Sequence, residues 1–389
     1  MMRYSNRTLS FLLMILSYSC SGGHTEWDVE HIGEQRIIIS DLCQVDTVIL
    51  DGRRTSLLGQ WIMARDGFCF FDECLVGIKN FALNGEYLSE HLNHGRGPDE
   101  MISPAWVTAY DDVSNIFVLQ DSNAYLHIFD STFHIIWETP HPWFVPSLNG
   151  SQERMANLYL HPDEDAYEIY EYNMDCNRMQ VLNGQLIMPI VSDHIRFNKY
   201  YKSQHSKKYF RKAHTMMLYP LRDTLTHPVL FGHYPPIYRQ GDLAMFSEYD
   251  FFVDDSCIFL SFAADPNIYQ MGFNGRVIRS FGTREEGISG KYPPIKTFEQ
   301  YEREYKRQRL QFGYYGRLFC TNGLIFRTVK LDGQGAWRLQ IYERETLLQV
   351  GEVSLSSEIE MLGYRDPYYY AYVGEDLKSD SFKIIRFSL

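Results

Sequence analysis

The sequence predicts an all-β fold, a six-bladed β-propeller with room for a seventh blade and one short helical insertion. Three observations carry the prediction. A strand-turn-strand unit recurs along the chain, Asn-Gly turns separate alternating apolar runs, and the last unit is only half complete. With 28 Tyr and 25 Phe in 389 residues, the composition suits strands that favour aromatic side chains.

The start of the chain differs from the rest. Arg3 and Arg7 give a positive beginning, Leu9 to Leu16 an apolar run, and Ser17-Tyr18-Ser19-Cys20 a small-residue end. That order marks a secretory signal peptide, and the run is too short for a spanning anchor. The junction resembles the lipobox of bacterial lipoproteins, in which the Cys is acylated and becomes the new N-terminus. Ser17 stands where that pattern has an aliphatic residue, with Leu16 one step further back. The resemblance implies lipid attachment at Cys20 and membrane anchoring without a spanning helix; a plain signal peptide cut near Ser21 is the alternative. The domain division expected is 1–20 signal peptide, 21–34 tether and 35–389 a single propeller.

The recurring unit is an apolar strand ending in an aromatic residue, a polar or Gly turn, and a second apolar strand. It runs over Ile78 to Leu88, Leu126 to Ile136 and Tyr269 to Gly282, and less tightly over Met217 to Leu225 and Leu339 to Leu347. Asn84-Gly85 and Asn274-Gly275 predict two-residue hairpin turns with both central residues at positive φ. Trp61 to Ala64 with Phe68 to Phe71, and Ile116 to Leu119, supply further strands, so each unit reads as two hairpins, the four-stranded blade of a propeller. The strand Phe382 to Phe387 ends the chain in mid-blade. A strand from the other end is expected to complete it, either Arg36 to Ile39 or Thr47 to Leu50. The long gap from Asp130 to Arg222 holds Asn157 to Tyr172 and Leu186 to Val191, which are that blade's own strands or a seventh blade. Thr297 with Gln300 forms a capping-box pattern and predicts a helix from Thr297 to Leu310, supported by Glu299 with Arg303 and Glu302 with Lys306, each four apart.

The loop Asn93-His94-Gly95-Arg96-Gly97-Pro98-Asp99-Glu100 resembles the Gly-Arg-Gly-Pro-Gly-Glu segment of TolB-like six-bladed propeller lipoproteins of bacterial cell envelopes, with Asp99 in place of Gly. A partial echo follows at Gly282 to Gly287. The resemblance implies the fold and an envelope location, outer-membrane, periplasmic or surface-facing; that family has no common chemistry to lend.

Two groups are candidate ligand-binding residues. Arg96 and Glu100 sit in a loop whose Gly95, Gly97 and Pro98 shape the backbone, so they either line a blade-end pocket or satisfy backbone groups in a blade-to-blade connection. Lys207, Lys208 and Arg211 belong to the stretch Arg196 to Lys212, where cations alternate with Phe197, Tyr200, Tyr201, Tyr209 and Phe210 and no acidic residue intervenes. Aromatics stacking on sugar rings and cations meeting acidic groups would suit an anionic glycan or lipid headgroups.

Other classes are disfavoured. The net charge of -12 argues against a nucleic-acid binder. All 13 His fall at or before His233, but His91 and His94 lack ligand spacing, so no metal site is assigned and no cofactor is expected. No Gly-x-Ser-x-Gly elbow or phosphate loop occurs. Cys69, Cys257 and Cys320 lie in apolar runs and read as buried free thiols, with a Cys69 to Cys74 bridge as an alternative. Catalytic residues are left unassigned. The function expected is an envelope-anchored binding module for a protein or glycan; the rival is a polysaccharide lyase or hydrolase at the central channel. An open channel with converging polar groups favours the rival, and a plugged apolar channel the binder.

Overall fold

The computed structural model describes residues 27–97, 100–103, 105–121, 125–140, 170–173, 178–192, 197–200, 202–221, 228–239, 243–295, 297–333 and 335–389. Six antiparallel sheets follow one another along the chain. From inside outwards, the first blade is Gly59–Ala64, Gly67–Asp72, Ile78–Phe81 and Tyr87–His91, and the second Ala105–Asp111, Ile116–Asp121, Tyr125–Phe129 and Ile135–Pro140. In the third, Glu171–Tyr172 and Gln180–Leu182 both pair with Gln185–Val191, followed by His214–Pro220 and Val229–His233. The fourth and fifth run from Tyr249–Val253 to Val277–Phe281 and from Tyr314–Thr321 to Gln349–Leu355. The sixth takes Glu360–Arg365, Tyr368–Asp376 and Ser381–Ser388.

The innermost strand of each blade packs against that of the next, and the sixth against the first, so six blades close the ring. The long gap therefore contributes the third blade and no seventh. Second strands such as Gly67–Asp72, Ile116–Asp121 and Ile258–Phe262 are buried at every position, because each is covered by neighbouring blades on both faces. Core clusters accordingly span blade boundaries. Leu50, Trp61, Phe70 and Phe382 join the sixth blade to the first, with Trp61 edge-on to Phe382 at 4.9 Å; Phe71, Phe117 and Phe133 join the first to the second.

The N-terminal region closes the ring. Cys43–Asp51 pairs antiparallel with Ser381–Ser388 as the outermost strand of the sixth blade, which selects the second of the two predicted closing strands. The first, Gln35–Ile39, instead adds in parallel to the outer edge of the fifth blade, and His31–Ile32 to that of the fourth. Trp27 packs edge-on against Tyr269 with ring centres 4.7 Å apart. Within residues 27–34, Trp27, Glu30 and His31–Ile32 thus contact the fourth blade.

The Asn-Gly turns sit where predicted but are built differently. Gly85 N donates to Ala82 O at 2.9 Å and Ala82 N to Glu86 O at 2.8 Å, and only the Gly has positive φ, +91°. Gly272 to Arg276 repeats the pattern, with Gly275 at +80°. Each is a turn followed by a left-handed residue, which adds a bulge, and the Asn carboxyl-amide oxygen accepts the backbone N–H two residues on.

Two helices cover the end of the ring at which the innermost strands begin. Helix α1, Lys202–Lys212, links the second and third strands of the third blade; helix α2, Phe298–Gln311, precedes the innermost strand of the fifth. Thr297 caps α2 as predicted, its hydroxyl accepting from Gln300 N at 3.2 Å. The surface pairing differs from the predicted spacing, since Glu304 takes both Arg303 and Arg307. At the other end of α2, the buried Lys330 ammonium donates to Leu310 O at 2.9 Å, Phe312 O at 3.3 Å, Leu331 O at 3.1 Å and Gly333 O at 2.9 Å. A cation there satisfies terminal carbonyls and opposes the negative end of the helix dipole. Among the described residues no helix is long and apolar enough to cross a membrane.

Candidate functional site

An innermost propeller strand has one edge paired within its blade and the other facing the axis, so its free backbone groups need partners. Polar side chains of adjacent blades supply them. Gln60 Oε1 accepts from Thr108 N and from its hydroxyl, both at 3.1 Å. Gln180 Nε2 donates to Phe251 O and its Oε1 accepts from Val253 N, both at 2.7 Å. Asp250 Oδ2 accepts from Leu318 N at 2.9 Å, and Arg365 donates to Ala64 O at 3.1 Å across the ring closure.

Inside this ring lies an axial cavity of about 530 Å3, within the usual range for ligand pockets. Its wall is neither plugged nor apolar. Arg178, Arg317 and Arg365 alternate with Tyr110, Phe252, Phe319 and Tyr364, and Glu73 and Glu360 supply carboxylates. Arg178 donates to Glu360 Oε1 at 3.3 Å and Leu318 O at 3.0 Å, with Asp250 3.9 Å away. Burial pushes the Glu73 carboxyl above its ordinary value against the hydrogen bond from Gln60, and Asp72 adds to the rise.

A smaller chamber of about 200 Å3 adjoins it at the helix-covered end, with Arg317 shared between the two. Helix α2 supplies Tyr305 and Arg309; the starts of the fourth, fifth and sixth blades supply Glu248, Tyr314 and Glu358. Arg309 lies over the Tyr314 ring, 3.5 Å from its centre, and pairs with Glu248 at 2.6 Å. Tyr305 donates to the other Glu248 oxygen at 2.9 Å. Glu358 is exposed to solvent where it lines the chamber; desolvation by the surrounding protein raises its pKa, although Arg317 and Arg309 pull it down.

The sequence-predicted residues fall elsewhere. Glu100 turns back on its own loop, accepting from Gly97 N at 2.7 Å, and Asn93–His94 pairs with Glu100–Met101. This is the backbone-satisfying role. Arg96 is exposed, and neither residue lines either cavity. In the basic stretch, Phe197, Tyr209 and Phe210 are core residues at 1%, 0% and 0% exposure, so they cannot stack on a sugar. Lys199 is buried over the rings of Tyr200 and Tyr301 at 5.2 and 5.6 Å. Lys207 and Arg211 remain exposed on α1 and Lys208 is partly so. Arg196, Tyr201 and Cys20 lie outside the described residues, as do Pro98 and Asp99.

Cys69, Cys257 and Cys320 are buried free thiols, and Cys43 and Cys74 are free and exposed, so Cys69 and Cys74 are not bridged. His91 bonds Ser89 Oγ at 2.9 Å and lies against Phe133, while His94 is exposed. Among the described residues no group of three or more His, Cys, Asp or Glu is placed to hold a metal ion. The residues that do converge, Arg178, Arg317, Glu358 and Glu360, belong to no motif and are drawn from three blades. Their signal would have been a charge inside an innermost strand or at its start, but identifying those strands requires the blade register.

No family model matches the sequence, and no curated protein matches it. The fold is similar to that of a member of the DUF4221 family from Bacteroides vulgatus ATCC 8482, with a TM-score of 0.66 at 10% identity over 90% of this chain and 99% of that one. It is also similar to a Bacteroides fragilis NCTC 9343 protein described as exported, with a TM-score of 0.51 at 13% identity over 92% of this chain and 98% of that one. At these identities the likeness establishes the propeller fold alone.

Proposed function

We propose that the chain is a binding module that takes a segment of a glycan into the axial cavity. One observation carries the reading: an open cavity of about 530 Å3 whose wall interleaves aromatic side chains with guanidinium donors and carboxylate acceptors. A hydroxyl-rich ligand with apolar ring faces matches such a wall. Outside the cavity, Lys207, Lys208 and Arg211 on α1 are the contact proposed for acidic groups of a longer anionic glycan.

The expected result is selective retention of glycans on an array by the purified chain lacking residues 1–20. Tyr364→Ala should weaken that binding by about tenfold, as for an aromatic anchor in a concave site. Ala at Lys207, Lys208 and Arg211 together should reduce binding of acidic glycans more than neutral ones. Full binding by the Tyr364 variant would sink the cavity assignment.

A second reading has its own observation. The axial cavity is open and lined by converging polar groups, the condition that favours the enzyme rival, and Glu73, whose pKa is raised, lines it together with Glu360, so glycoside hydrolysis or lyase chemistry is the alternative. Release of new reducing ends from a bound glycan would favour it over simple binding.

We also propose that Cys20 carries lipid and holds the propeller on an envelope membrane. The charged start, apolar run and small-residue junction support this, together with the TolB-like loop at Gly95 to Glu100. Cys20→Ala is expected to abolish incorporation of labelled fatty acid in a bacterial host and release the protein from the membrane fraction. Unchanged labelling would refute it.

A further inference from the structure

We propose that His127 is a proton-operated latch on the outer half of the second blade, closed while its imidazole carries two protons and released when it loses one. The latch is independent of what fills the axial cavity and of any lipid. His127 lies buried in the middle of the third strand, opposite Glu138 of the outermost one. Its Nδ1 is 2.7 Å from Glu138 Oε1, and its Nε2 is 3.2 Å from Oδ2 of the buried Asp121 at the end of the second strand. Asp121 also accepts from Tyr125 N at 2.9 Å and from the side chain of Ser103, so it joins these strands to the end of the Gly-rich connection between the first two blades.

An ionised carboxylate only accepts, and a neutral imidazole has a single N–H. With a carboxylate oxygen at each ring nitrogen, the neutral ring donates to one and turns a lone pair on the other; the imidazolium alone donates to both. Burial by itself would lower the pKa of His127, but the hydrogen bonds and charges of Asp121 and Glu138 outweigh it and raise the pKa above the ordinary value. The other titratable or charged groups on this side have different engagements. The Cys69 thiol of the first blade is pushed up to about 12 by burial. His91 bonds Ser89 Oγ, Glu100 accepts from Gly97 N, and His94 and Arg96 are exposed. Tyr110 stacks on Phe117, and the Tyr125 ring centre is 6.5 Å from that of His127. Because the folded pKa of His127 lies above the unfolded one, the stability its charge contributes is complete at acid pH and is lost as pH rises through the folded value. Asp121 and Glu138 are then left without their shared cation, and the tie between the strands and Ser103 weakens.

A histidine Cε1–H NMR titration of the purified full chain, with His127 assigned by its absence in His127→Gln, is expected to place His127 above the usual value of about 6.5. Hydrogen exchange read by mass spectrometry and corrected for the intrinsic rate should show a loss of protection in Ile116–Asp121, Tyr125–Phe129 and Ile135–Pro140 as pH rises through that titration. The fifth blade contains no His and should stay protected, as an internal reference. Glu138→Gln separates a latch from a merely structural contact. The new amide donates to Nδ1 while a neutral His127 donates to Asp121, so the titration should move down and the loss of protection at alkaline pH should disappear. A wild-type titration at or below the usual value, protection that survives deprotonation, or the same loss in Glu138→Gln, which would place it on His91 or His134, would overturn the proposal. If His127→Gln fails to fold, the wild-type and Glu138→Gln titrations decide, since the His127 resonance is the one expected to move between them.

Discussion

A chain that begins at Gly52 is expected to lose cooperative thermal unfolding, whereas one that begins at Ser40 should still fold, at lower stability. The difference is the strand Cys43–Asp51. It pairs with Ser381–Ser388 from Cys43 to Asp51, and its Val48 and Leu50 are buried at 6% and 0% exposure against the first and sixth blades. Without it the outer edge of the sixth blade is unpaired, and the cluster around Trp61, Phe70 and Phe382 opens to water. His31–Ile32 and Gln35–Ile39 add to edges of blades that already have four strands, so their loss should be the milder one. The single change Leu50→Ala should cost about 2–5 kcal/mol, the range for a large buried aliphatic side chain. Residues 40–51 reattached after Leu389 through a short flexible linker should restore cooperative melting, because the strand they rebuild is antiparallel to Ser381–Ser388. Cooperative melting by the chain beginning at Gly52 would show that the ring does not depend on this closure.

What the sequence disclosed followed how locally each feature is determined. Third and fourth strands were legible because their turn chemistry is contained within a few residues, as at Asn84-Gly85 and Asn274-Gly275. The same turn recurs at Asp130 to His134, and a version one residue longer at Glu343 to Leu348, where no Gly announces either. Phe133 and Leu347 occupy the equivalent left-handed positions at φ +63° and +62°, and both side chains are buried, at 4% and 2% exposure. Packing against neighbouring blades there offsets a backbone cost that glycine would avoid. Helix α1 was missed for a related reason. It has no acidic residue in its first turn and carries cations at Lys207 and Arg211, and at Lys208 and Lys212, in like-charged positions four apart, an unfavourable local pattern. Tertiary burial of Tyr209 and Phe210 supports it instead.

The candidate site was illegible for a stronger reason. Gln60, Gln180 and Asp250 look like polar interruptions of apolar strands until the adjacent blade is in place to use them. Arg178 and Glu360 meet only because the ring brings the third and sixth blades to one axis. The conspicuous features, the Gly-rich loop and the basic stretch, proved to be a self-bonded connection and a helix with an apolar underside.

Arg327→Ala is expected to destabilise the protein by about 3–5 kcal/mol, the range for breaking a buried charged network. Arg327 lies in the second strand of the fifth blade and is wholly buried. Its guanidinium donates to Gln340 Oε1 at 3.0 and 2.7 Å, to Pro266 O of the fourth blade at 2.8 Å and to Tyr342 at 3.2 Å, and lies over the Tyr315 ring at 4.3 Å. Lys cannot reproduce this planar fork, so Arg327→Lys should also be strongly destabilising. Arg327→Met retains most of the volume and should cost less than Ala, which separates the packing contribution from the polar one. The Met variant also carries a pH signature. Burial raises the pKa of Asp265, also of the fourth blade, and the charge of Arg327 opposes that rise. Because the folded pKa lies above the unfolded one, the folded state holds the proton more tightly, and stability falls as pH rises through that interval. Removing the cation raises the folded pKa further and enlarges the loss at neutral pH. The gap in melting temperature between wild type and Arg327→Met should therefore narrow as the pH is lowered towards the carboxylate range. A gap independent of pH would mean that Arg327 joins the two blades by packing and hydrogen bonding alone, without its charge acting on Asp265.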